Sequence, residues 1–458
     1  MTVDQANPAQ ENHSPGLRLD DGSRVAVIGG GPAGSFFSYF LLQFAKRLGV
    51  ELCVDIHEAR NFAIPGPGGC NMCGGIVSES LVQNLAAEGI VLPANVVQRG
   101  IDSYVLHTDV ASVRIETPLH EKRIAAVYRG AGPRGSKPTE WRSFDGYLQE
   151  LAVGEGAHVV RGRVESVSLD GGRPQIKAPN GAPLTYDLVA VAVGVNSSTL
   201  KVFEGFGIGY AAPQTTKTYI CEFFVGRDAV EKRLGSSMHL FLLDIPRLEF
   251  AALVPKGDYA TLCLMGEEID KPLVQAFMDS PEVKRLLPAE WNASPDFCHC
   301  SPRINILSAV RPFADRMVFI GDCGTTKLYK DGIGTAYRTA KAAAKTALLE
   351  GISANDFRRH FWPTCRSIAR DNQIGKLIFA VTRQVQRRRF ARRGVVRMAA
   401  QEQEKTGGRR RMSTVLWDTF TGSAPYRDVF LRVSHPAFVA HFVRNALAGS
   451  RPKEIQSS

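Results

Sequence analysis

Val25-Ala26-Val27-Ile28-Gly29-Gly30-Gly31-Pro32-Ala33-Gly34-Ser35 sets a short apolar run against a glycine bend and then a helix start. Glycines stand at the first, third and sixth positions of a dinucleotide fingerprint, in the strand-then-helix context that such a fingerprint requires. Each position has a physical task. Gly29 permits the tight turn, and Gly31, followed by Pro32 and Ala33, lets backbone come close to a pyrophosphate. Gly34 lets helix and strand pack closely while the helix amino terminus faces negative charge. Residues 35–48 continue as an apolar helix and residues 51–57 as a second strand, so residues 24–60 read as one βαβ unit. Glu58, at the end of that second strand, is placed to accept hydrogen bonds from ribose hydroxyls.

A second stretch, Gly130-Ala131-Gly132-Pro133-Arg134-Gly135, has the same letters, but Lys137-Pro138 follows where a helix would begin, so it reads as a loop. Helices are expected at residues 78–88 and 145–153. Strands are expected at 157–167, 188–193, 218–224, 250–254 and 260–264, the last three in a separate sheet. Residues 316–320 read as a short buried strand leading through Gly321-Asp322 to an alanine-rich helix at 334–349. The expected class is α/β, with a Rossmann-type nucleotide-binding domain, an inserted mixed β-sheet substrate domain and a helical carboxy-terminal region. The nucleotide-binding domain takes residues 21–104, 142–200 and 302–350. The substrate domain takes 105–141 and 201–301, the helical region 351–458, and residues 1–20 form a disordered leader.

With 458 residues, 44% of them hydrophobic, the chain can build sizeable cores. No apolar run in it approaches the length of roughly 20 residues that a membrane helix needs. Nine dispersed cysteines and no secretory pattern point to reduced thiols in the cytoplasm. The net charge of +11 is concentrated between Arg383 and Arg411, where ten arginines fall. That block lacks interleaved aromatics apart from Phe390 and lies in no nucleic-acid module, so nucleic acid is not expected as a partner. A basic helix with Leu377, Ile378, Val381 and Val385 fits either an anionic membrane surface, which would make the protein peripheral on the cytoplasmic face, or a solvated helix face.

The second diagnostic stretch is Met317-Val318-Phe319-Ile320-Gly321-Asp322, followed by Asp331-Gly332-Ile333-Gly334-Thr335-Ala336. With the fingerprint, it resembles the flavoprotein superfamily that contains p-hydroxybenzoate hydroxylase and the geranylgeranyl reductases, over roughly residues 22–350. The resemblance implies FAD as cofactor. It implies that Asp322 binds the ribityl chain and that Gly332, Ile333 and Gly334 bring backbone amides to the flavin pyrimidine. Fixed N–H donors there would stabilise the negative charge of a reduced flavin. Arg142, in Trp141-Arg142-Ser143-Phe144-Asp145, matches an arginine that in this superfamily lies beside FAD.

Cys70-Asn71-Met72-Cys73-Gly74-Gly75 resembles the Cys-Gly-Gly segment of the geranylgeranyl reductases, and Pro255-Lys256-Gly257-Asp258-Tyr259 resembles their Pro-Lys-Gly-Asp turn. By that resemblance Cys73 is the candidate proton donor, and Cys70, Gly74, Gly75, Phe250 and Pro255 are candidate substrate contacts. The Cys-x-x-Cys spacing also admits a structural role, a redox dithiol or half of a metal site; the spacing of Cys298-His299-Cys300 is poor for completing such a site, and no metal is expected. Three departures are visible: residues 187–194 lack the second aspartate of the hydroxylases, Tyr329-Lys330 replaces a proline, and residues 250–255 lack a tryptophan of the reductases. The expectation is therefore an FAD-dependent reductase of carbon–carbon double bonds in an apolar, isoprenoid-like substrate, fed by NAD(P)H or a reduced electron-carrier protein. A flavin monooxygenase and a membrane-docked electron-transfer flavoprotein are the alternatives.

Overall fold

A computed structural model describes residues 17–117, 121–136, 141–179, 181–287, 298–405 and 409–448. Most of the expected leader, residues 1–16, and Lys137-Pro138 lie outside the described residues.

The apolar runs Arg24–Ile28 and Leu188–Val191 pair in parallel at the centre of a six-stranded sheet, with Val25 opposite Leu188 and Ile28 opposite Val191. Cys53–Glu58 and His158–Arg161 extend it on one side; Met317–Phe319 and an antiparallel edge strand, Phe313–Ala314, extend it on the other. Near-continuous apolar strands are what a parallel sheet covered on both faces demands. Alternate residues feed two cores. Val25, Val27, Leu188 and Ala190 meet the helices Pro32–Leu48 and Gly332–Leu349, while Ala26, Ile28, Val189 and Val191 meet Tyr186, Phe203 and Phe319. The two helices interlock through Phe36 and Tyr337, edge to face at 5.5 Å. The expected single strand over residues 157–167 is instead two, His158–Arg161 and Ser166–Asp170, in different sheets. Gly162 turns the chain between them in a positive-φ conformation, at 136°, that is open to glycine.

A seven-stranded sheet runs in the order Cys298–Cys300, Tyr219–Phe224, Tyr259–Gly266, Leu248–Lys256, Ser237–Phe241, Ser103–His107 and Ser112–Glu116. One face, with Cys221, Ala251, Leu253 and Leu262, packs on the helices Lys271–Met278 and Pro281–Leu286. The other face is covered in part by the carboxy-terminal helices: Ile378, Phe379, Val396, Trp417 and Tyr426 share a core with Tyr104, Leu240 and Phe250. Trp417 stacks on Tyr104 at 5.7 Å.

The arginine block does not form one face. Arg388 is extended (φ −114°, ψ 108°) and separates the helices Trp362–Arg387 and Arg389–Glu404. Arg392 is buried against Asp109 at 2.5 Å, and Arg397 donates to the carbonyls of Asn445 and Ala448. Arg387, Arg388 and Arg389 remain exposed, next to Phe390.

Arg383 ties the first of these helices to the seven-stranded sheet through Glu249 and Glu267, both at 3.1 Å. Glu249 is 1% exposed, and burial pushes its carboxyl up to about 7 against the pull of Arg383. A carboxyl raised on folding takes up a proton as the chain folds, so the stability it allows at low pH is lost as pH rises from the unfolded value through the folded one. Glu249→Gln should therefore raise stability by about 1–3 kcal/mol at pH 8 and by little at pH 5. Denaturant melts at the two pH values measure this; an equal difference at both would contradict it.

Candidate functional site

A cavity of about 420 Å³ opens at the carboxyl edge of the six-stranded sheet, where Ile28, Glu58, Gly162 and Val193 end or follow their strands. This is where open α/β sheets bind ligands. Gly29 sits at a positive φ of 104°, and a Cβ there would lie 2.6 Å from the carbonyl oxygen of Ala192; a Cβ on Gly34 would overlap the carbonyl oxygen of Gly29. Helix Pro32–Leu48 consequently begins directly above the bend, with no side chain capping its first N–H groups. Gly29, Gly31, Pro32 and Ala33 line the cavity, whereas Gly34 acts through packing behind it. Glu58 also lines it, one carboxylate oxygen accepting from the Gly30 N–H and the other from the Arg60 N–H, each at 2.7 Å.

A second uncapped helix, Gly332–Leu349, starts at the same cavity. Gly332 and Ile333 line it, while Gly334 does not; a Cβ on Gly334 would overlap the Asp331 carboxylate. Tyr329 and Asp331 are both left-handed, with φ 60 and 54 degrees, strain of a kind that clusters at functional turns. Asp322 lines the cavity, its carboxyl raised by burial with Arg129 opposing. Asn305 donates to the Asp322 carbonyl at 2.7 Å, and its own buried Oδ1 has no hydrogen-bond partner. Lys330 is half-buried in the lining, its ammonium held by the carbonyls of Asp418 and Thr419 at 2.6 Å each, over the Tyr426 ring; desolvation there lowers its pKa.

The cysteine loop crosses the middle of the cavity. Its glycines admit close neighbours: a Cβ on Gly74 would lie 2.7 Å from the Cys263 sulfur, and one on Gly75, also at positive φ, would lie 2.9 Å from the Lys256 ammonium. Cys73, Gly74 and Gly75 line the cavity; Cys70 does not, and burial raises its thiol pKa. All nine cysteines are free, and no cluster that could hold a metal ion occurs among the described residues. Beyond the loop the lining turns apolar on one face of the seven-stranded sheet, where Leu240, Ala252 and Ile220 lie in register with Cys263. Phe250 joins it, stacked on Phe379 at 6.0 Å and edge-on to Phe420 at 5.4 Å. Pro255 is buried in the same strand but does not line the cavity, where Val254 does.

Arg142 pairs with Glu150 at the surface and does not line the cavity. The cation beside the cysteine loop is Arg129. Its guanidinium grips buried Asp145 at 2.5 and 2.9 Å and lines the cavity together with Cys73, close enough for the two to interact electrostatically. Asn71 joins Asp145 to Arg60, closing a network that fixes the loop to the six-stranded layer. The sequence assigned no role to Arg129, Asn71, Lys327 or Phe420; the signals were Asn71 within the cysteine motif and Asp145 within the Arg142 motif. Removing one partner of a buried pair strands the other, so Asp145→Ala should cost about 3–5 kcal/mol in equilibrium unfolding, with Arg142→Ala within about 0.5 kcal/mol of the parent. Equal effects would contradict the assignment of the buried pair.

No protein-family model matches the sequence, and no curated protein matches it. Solved structures do. A geranylgeranyl bacteriochlorophyll reductase-like protein from Thermoplasma acidophilum superposes with a TM-score of 0.63 at 14% identity, covering 93% of this chain and 100% of that one. A flavoprotein/dehydrogenase from Cytophaga hutchinsonii gives 0.59 at 12% identity, over 93% and 98% of the two chains. A variant of the halogenase PltM in complex with FAD gives 0.56 at 13% identity, over 92% and 90%. The chain thus has the Rossmann-type fold of FAD-dependent flavoproteins, with a helical carboxy-terminal region, shared by reductase-like and halogenase structures alike.

Proposed function

We propose that this protein is an FAD-dependent reductase of carbon–carbon double bonds in an apolar, isoprenoid-like or lipid substrate, using NAD(P)H or a reduced electron-carrier protein as electron donor. The observation that carries the reading is the position of Cys73, at the junction between a glycine-lined polar cradle and an apolar sheet face within one cavity. The residues present fit FAD. Side chains are absent where the backbone must approach phosphates, two helix starts lack caps, and the unpartnered Asn305 Oδ1 lies beside Asp322.

When bound and reduced by the electron donor, FAD would supply the two electrons as hydride. The chain's own residues do the rest. Glu58 would accept from the ribose hydroxyls, and Asp322 would hold the ribityl chain. The apolar face holds the double bond away from water. Cys73 delivers a proton to the second carbon, so that one C–H bond forms from hydride and one from the thiol proton. Arg129 offers its guanidinium to the thiolate left behind, and water restores the thiol.

An anionic membrane, where such a substrate resides, is the proposed docking surface. Arg387–Arg389 and Phe390 are exposed at the helix break, and Leu377 and Val381, four residues apart on one stripe of the preceding helix, are exposed as well. No helix among the described residues is long and apolar enough to cross a membrane. Flavin monooxygenation or halogenation is the second reading, favoured by the extent of the fold shared with PltM.

Anaerobic mixing of the reduced protein with a panel of polyprenyl lipids should reoxidise the flavin, and Cys73→Ala should slow that reoxidation about 10²-fold or more. No reoxidation by any lipid, together with oxygen-dependent incorporation into a product, would replace this reading with the second.

A further inference from the structure

A second cavity, about 580 Å³, lies behind the turn at residues 327–334, between helices Trp362–Arg387 and Gly332–Leu349 and the segment 422–427. Its walls carry the exposed residues Arg338, Arg366, Arg370 and Arg427, together with buried Lys327. Arg366 and Arg370 are four residues apart on one helix and so share a face. The two carboxylates in the lining are already engaged. Asp331 accepts from the Ser78 hydroxyl at 2.6 Å, and Asp371 accepts from the backbone N–H groups of Tyr426 and Arg427 at 3.0 Å each. Arg427 reaches only exposed Asp428, at 3.3 Å, and among the described residues no ion pair joins Arg338, Arg366 or Arg370 to a carboxylate.

Three guanidinium groups with no ion pair among the described residues and a fourth shared with Asp428, set round one concave surface, create a positive potential that an anion relieves. A phosphate suits this set better than a carboxylate, because its several oxygens can take paired N–H donors from more than one guanidinium. The cavity also has a defined neighbour. Lys327 and Asp331 line both this cavity and the first, and Lys327 donates to the Ala424 carbonyl at 3.0 Å while lying over the Tyr426 ring. One layer of side chains therefore separates an anion held here from the Gly332–Ile333 turn.

We propose that this arginine-lined cavity binds the phosphate of an organic phosphate ester, carried either by a nucleotide electron donor or by the head group of an apolar substrate. The chemistry is the same for both sources, and the proposal stands whether the flavin reaction is reduction or oxygenation.

Inorganic pyrophosphate titrated calorimetrically into the purified full-length protein is the test. Saturable binding that weakens with added salt is expected, at least tenfold weaker in the Arg366→Ala/Arg370→Ala double variant and in Arg338→Ala, and unchanged in Arg142→Ala, at a residue that lines neither cavity. Should the double variant fail to fold, Arg338→Ala and Arg427→Ala carry the comparison. Competition by NADPH assigns the site to the donor; competition by a prenyl diphosphate, but not by the parent alcohol, assigns it to the substrate head group. Absence of saturable binding, equal affinity in the cavity variants, or competition by neither organic phosphate would overturn the proposal. These outcomes are read without turnover, so a failure of the reductase reading leaves them distinguishable.

Discussion

No side-chain atom fits between the first turn of helix Pro32–Leu48 and the bend beneath it, and the rest of the site follows from that contact. A Cβ on Gly34 would overlap the Gly29 carbonyl, and one on Gly29 would press on Ala192. Because backbone rests on backbone there, the helix start stands over the carboxyl edge of the sheet with its N–H groups uncapped, leaving donors that a helix cannot satisfy within itself. Glu58 holds Gly30 from the adjacent strand, and helix Gly332–Leu349, packed on the first through Phe36 and Tyr337, brings its own uncapped start to the same cavity. Two positive helix ends then face one space, an arrangement suited to a ligand with negative charge at both its phosphates and its ring.

Around this frame the cavity is polar on one side and apolar on the other, and a single network marks the border. Arg60, Asn71, Asp145 and Arg129 are joined in series, and Arg129 lines the cavity with Cys73. Burying Asp145 is costly unless its partners are met, which ties the loop at residues 70–75 to the six-stranded layer. The carboxy-terminal helices complete the enclosure from the far side, with Phe420 and Thr421 in the lining and Phe379 behind Phe250.

What could be seen in the sequence was what is local. Gly29, Gly31 and Gly34 announce themselves within one short motif, Glu58 by its place at the end of the next strand, and Asp322 with Gly332 and Ile333 by a second short pattern; all but Gly34 reach the cavity wall, and Gly34 works by packing. Arg129 was hidden because its partners come from elsewhere. Asp145 lies sixteen residues on, and the Asn71 contact with Asp145 spans seventy-four. Arg142 stood nearer the motif but turned outward to Glu150. The arginine block misled for a related reason: linear charge density does not say which arginines find Asp109, Glu249 or a backbone carbonyl once helices pack. Residues 157–167 have the apolar content of one strand, and only the backbone at Gly162 divides them.

Titration of the purified, flavin-free protein with FAD under native conditions, followed by absorbance and fluorescence, addresses the cradle itself. Saturation at one FAD per chain is the outcome required by a pyrophosphate lying over the glycine bend and a flavin reaching the turn after Asp322. Protein that is isolated colourless and takes up no added flavin would contradict the account.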